Sequence, residues 1–147
     1  MRNTANTTTG GSVSSYNKCM GIIRSLKEDD PKREEYLRKA CDYARSKGQW
    51  KVLFFMIPVG SDLKKEVFYR ILSLFSTFDD LRDLGYMSGD QYLCSVALEE
   101  GLNHATDYKG QCMDVVYEFS KNGFADLGKK AICRACELIK AQENNRT

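Results

Sequence analysis

From Tyr16 to Ile139, apolar side chains return every three or four positions, and only two prolines interrupt the chain. That spacing is the repeat of one α-helix face, so every segment carrying it has a flank to hide. Hidden flanks need neighbours, and short links make consecutive helices antiparallel neighbours. The expectation is an all-α protein, a compact bundle of six or seven short antiparallel helices. Residues 13–141 are expected to form a single helical domain. Residues 1–12 and 142–147 are polar, have nothing to bury, and are expected to be disordered tails.

The helices can be placed from their stripes and stop signals. Residues 14–28 carry Tyr16, Cys19, Ile23 and Leu26 on one face. Asp30 is a natural cap and Pro31 a natural first residue for a helix over 31–47. Its stripe is Leu37, Ala40, Cys41 and Ala44, and Glu34–Arg38 and Glu35–Lys39 are spaced for ion pairs along its outer side. Gly48 is read as its left-handed end cap. The run Trp50, Val52, Leu53, Phe54, Phe55, Met56, Ile57 could be a strand, but no second strand offers it partners. It is read as a short, deeply buried helix stopped by Pro58 and Gly60. Ser61 caps the strongest stripe, 62–78, with Leu63, Val67, Ile71, Leu74 and Phe78. A short turn over 79–86 closes at Gly85, and Ser88 caps a helix over 89–108 that contains Gly101. Gly110 separates it from 111–121, Asn122–Gly123 stops that helix, and a last helix covers 125–140.

Charge narrows the function classes. Lys and Arg number 22 against 20 Asp and Glu, a net charge of +2. Nucleic-acid binders draw much of their affinity from phosphate attraction, so this balance gives no global reason for DNA or RNA. A local basic side on the last helix, Lys121, Lys129, Lys130, Arg134 and Lys140, keeps a nucleic-acid-binding subunit as an alternative. No apolar run approaches the roughly 20 residues that cross a bilayer, and the first residues carry no secretory core. A cytoplasmic protein without membrane association is expected. Five of the six cysteines stand among apolar residues, the pattern of reduced, packed thiols.

Chemistry-bearing constellations are sparse. Glu100, the sole histidine His104, and Asp107 would share one face of a continuous helix, as a local network or a metal or base site. Cys133 and Cys136 have the CxxC spacing, read here as packing with Cys136 inward and Cys133 on the flank. Glu34–Glu35, Asp79–Asp80, Asp83 and Glu99–Glu100 could converge on a divalent ion. That is the arrangement of an all-α metal-dependent nucleotide pyrophosphohydrolase, the second alternative. No Gly-rich phosphate loop or nucleophile elbow is present. The leading expectation is a non-enzymatic interaction module (adaptor, effector, inhibitor or small-complex subunit) with no cofactor or metal. Its partner is another protein or a second copy, bound through an apolar aromatic helix surface at Trp50, Phe54, Phe55 and Tyr69.

Overall fold

Asp30 and Pro31 act as the sequence requires. The Asp30 carboxylate accepts the Lys32 N–H at 2.9 Å, and Pro31 opens the helix Pro31–Tyr43. The computed structural model describes residues 4–120 and 124–146, with side chains for 15–119 and 124–146. Eight α-helices appear among them: α1 Thr4–Ser25, α2 Pro31–Tyr43, α3 Lys47–Met56, α4 Asp62–Leu72, α5 Phe78–Met87, α6 Gln91–Leu102, α7 Met113–Ser120 and α8 Ala125–Arg146. A single π-helical turn, Tyr108–Cys112, leads into α7. The described residues contain no strand. The chain divides into two compact helical units, Met1–Val67 and Phe68–Thr147, with the boundary inside α4.

In the first unit α1 packs on α2, and α2 on α3. Met20 and Ile23 of α1 are buried, as are Leu37, Ala40 and Cys41 of α2. The Arg33 guanidinium donates to the carbonyls of Ile23, at 2.9 Å, and Leu26, tying α2 to the C-terminal end of α1. The Tyr16 hydroxyl donates to the Gln49 carbonyl at 3.0 Å. Both expected ion pairs on α2 form, Glu34–Arg38 at 3.1 Å and Glu35–Lys39 at 3.3 Å.

In the second unit α5 packs on α6, α7 on α8, and α8 also on α6. Phe78, Leu98, Leu102, Ala105, Cys112, Val115, Phe119, Leu127, Ala131 and Ala135 belong to one core. Phe119 and Phe124 meet edge-to-face at 5.4 Å. Gly101 lets the Phe78 ring approach, since an added Cβ would lie 3.3 Å from it.

Several boundaries differ from the sequence reading, each for a local reason. Gly48 does not cap α2. That helix ends at Tyr43, and Ser46 starts α3 with a capping box to Gln49, leaving Gly48 in the first turn. The stripe over 62–78 breaks at Leu72, because the Thr77 hydroxyl accepts the Asp80 N–H and starts α5. Gly85 lies inside α5 rather than closing a turn. Ser88 ends α5, its hydroxyl donating to the Gly85 carbonyl, and Asp90 caps α6 by accepting the Leu93 N–H. Gly89, with φ +66°, makes the turn between them. Gly110 lies in the π turn, not between two helices. α8 continues to Arg146 as a solvated extension, all of 141–146 being exposed. The expected stop at Asn122–Gly123 lies outside the described residues.

Candidate functional site

α3 has the sequence KGQWKVLFFM, too apolar for one face to hold all of it. At 100° per residue, Trp50, Leu53, Phe54 and Ile57 project one way and are buried. Val52 and Phe55 project the other way and are 45% and 75% exposed, and Val59, three residues past the helix end, is 62% exposed. Met56 lies beside them, half-buried. The expectation of a deeply buried helix is thus correct for only half its circumference. Trp50 and Phe54, expected on the interaction surface, belong to the core. Phe55 is on the surface. Tyr69 is 41% exposed, meets Phe68 edge-to-face at 5.2 Å and belongs to the second unit.

Lys64 fixes which way α3 turns. It is 2% exposed, donates to the Phe54 carbonyl at 2.5 Å, and holds its ammonium 3.9 Å from the centre of the Phe54 ring. The contact caps the end of α3 and uses the ring face as a counter-charge. Burial pulls the Lys64 pKa from 10.5 to about 8. The sequence reading missed this residue, although the register could have shown it. Lys64 sits on the same helical row as Val67, Phe68 and Ile71, where a lysine is out of place. The pH dependence follows with a definite sign. Between about pH 8 and 10.5 the unfolded chain binds more protons than the folded one, so stability rises with pH across that window. Lys64→Met is therefore expected to raise Tm most at pH 7 and least at pH 10. A Tm difference from wild type that stays constant with pH would contradict the assignment.

The other sequence candidates do not assemble as sites. Lys130 pairs with Glu99 at 2.5 Å, and Arg134 bonds Glu137 and the Ala105 carbonyl, each at 3.0 Å. With Lys129 and Cys133 they line a mixed-charge groove of about 370 Å³. Lys140 is exposed on α8, and Lys121 lies outside the described residues. His104 and Glu100 do meet, at 3.3 Å. Asp107 is elsewhere, because α6 ends at Leu102 and the Asp107 carboxylate caps the π turn through the Lys109 and Gly110 N–H groups. Among the described residues no three His, Cys, Asp or Glu side chains could hold a metal ion together. The acidic pairs instead take local cations: Glu34 with Arg38, Glu35 with Lys39, and Asp79 and Asp83 with Arg82.

Cys136 is exposed beside Cys133 rather than turned inward, because α8 buries the Leu127, Ala131 and Ala135 row. Cys19, Cys41, Cys94 and Cys112 are buried. Burial pushes the Cys94 thiol up to about 11 and raises Cys19 and Cys112 as well. A thiol-reactive dye at neutral pH is expected to label Cys133 and Cys136 in the native protein and the other four only after unfolding. Rapid labelling of Cys94 in the native state would show that this packing is wrong.

No helix among the described residues is long and apolar enough to cross a membrane. Phe55, on the outer face of α3, is the most exposed of the large apolar side chains among the described residues. The chain matches no protein-family model, no curated protein and no solved structure, so this face is interpreted from its own chemistry.

Proposed function

We propose that this chain is a protein-interaction module and that its contact surface is the outer face of α3. The supporting observation is the exposure of Phe55, at 75%, in helical register with exposed Val52 and followed by exposed Val59 beyond the helix end. Single exposed apolar residues are ordinary on a protein surface. Phe55 and Val52 on one helix face, with Val59 just beyond the helix end, make an apolar patch that water solvates poorly and that partner side chains can cover.

A photoreactive phenylalanine at position 55 tests the proposal in cells. A discrete cross-linked species is expected there, absent when the same group replaces exposed Glu143 on α8. Adding Val52→Asp and Val59→Asp is expected to abolish the product. No adduct at 55, or the same adduct at 143, would contradict it.

A further inference from the structure

We propose that Cys133 is a modification site, where a small carboxylate-bearing peptide thiol of the glutathione class is held as a lasting mixed disulfide. Cys133 and Cys136 are the two exposed cysteines, one helical turn apart within α8. Of the two, Cys133 lines the groove of about 370 Å³ that α8 forms with the end of α6. Much of the charge in this groove is engaged, Lys130 by Glu99 and Arg134 by Glu137. Two polar groups of the lining are not. Among the described residues nothing bonds the Lys129 ammonium, one turn before Cys133, or the Asn103 side-chain amide at the end of α6. An ammonium takes a carboxylate and an amide takes a peptide group, and a short peptide with a free carboxylate carries both. The thiol beside them supplies the covalent bond.

The reactant is the disulfide of that small thiol. The Cys133 thiolate attacks one of its sulfurs and forms a new S–S bond as the old one breaks. The other half leaves as a thiolate and takes up the proton that Cys133 lost, so one protein thiol and one small disulfide become one mixed disulfide and one small thiol. A second thiol nearby can resolve such an adduct by attacking it, but α8 opposes this. Residues one turn apart on a helix hold their Cβ atoms about 5–6 Å apart, whereas a disulfide needs about 3.5–4.5 Å. Both cysteines lie well inside a 22-residue helix. Closing a gap of about 1–2 Å would break helical hydrogen bonds on either side. The reaction therefore stops at the adduct on Cys133.

The test treats the full chain at neutral pH with oxidised glutathione or with neutral 2-hydroxyethyl disulfide, and maps the adducts by mass spectrometry. Reading Cys133 against Cys136 within one chain cancels the difference in reactivity between the two reagents. Oxidised glutathione is expected to modify Cys133 about threefold faster than Cys136, the size of one exposed ion pair, and the neutral disulfide to show no such preference. Lys129→Glu, or about 1 M salt with the unaltered chain, is expected to remove the preference. Cys136→Ser should leave the adduct on Cys133 in place. Equal modification of the two cysteines by oxidised glutathione, or a preference untouched by Lys129→Glu and by salt, would overturn the groove assignment. A chain that loses two hydrogens to an internal Cys133–Cys136 bond, instead of retaining the adduct, would overturn the proposal of a lasting mixed disulfide.

Discussion

Phe54→Ala is expected to cost about 3–5 kcal/mol of stability, and Phe55→Ala, one residue on, no more than about 0.5 kcal/mol. The two side chains are chemically identical and neighbours in sequence, so propensity and composition cannot separate them. Burial does. The Phe54 ring is fully enclosed, and its removal takes away both the packing it fills and the ring face that the Lys64 ammonium lies over. The loss is therefore a cavity and, in addition, a poorer environment for a buried charge. The Phe55 ring stands mostly in water and leaves no cavity. Urea titrations should show the midpoint falling for Phe54→Ala with the slope unchanged, and little movement for Phe55→Ala. Similar costs for the two would mean that α3 does not divide its faces as described.

Gly85→Val should destabilise the second unit by about 1–3 kcal/mol, against the ordinary expectation that replacing a glycine inside a helix helps. A Cβ at Gly85 would lie 3.1 Å from the Cys94 Sγ and 3.2 Å from both the Cα and the carbonyl oxygen of Cys94. Two of these three atoms are backbone of α6, which cannot rotate away. Extra bulk must therefore push α5 and α6 apart, loosening the layer that holds Leu81, Leu84 and Leu98. Cys94→Ala should not rescue Gly85→Val, since it removes only the sulfur. A thermal scan of the single and double variants checks this, and recovery in the double variant would place the clash at the side chain instead.

Helix content was legible because the 3.6-residue rhythm survives any local ambiguity. It carried through to the Leu37–Ala40–Cys41 and Leu127–Ala131–Ala135 stripes, both buried as read. Boundaries were less legible because several residues compete to cap. Ser88 and Asp90 both have capping side chains, and only the turn at Gly89 gives α6 to Asp90. The face formed by Glu100, His104 and Asp107 failed for the same reason. It required a helix unbroken to residue 108, and the Asp107 carboxylate binds the next turn's N–H groups. At α3 the sequence showed an excess of aromatic surface but not its direction. Trp50, Phe54 and Phe55 look alike in one dimension, and the helical phase that separates them is set by packing and by Lys64.

The division of α3 can be measured in one spectrum. Fluorinated phenylalanine reports Phe54 and Phe55 as separate ¹⁹F resonances, assigned through single substitutions, and a soluble nitroxide broadens whichever ring meets solvent. The Phe55 signal should broaden strongly and the Phe54 signal should stay sharp. Broadening of both, or of neither, would contradict a helix that buries one aromatic ring and leaves its neighbour in solvent.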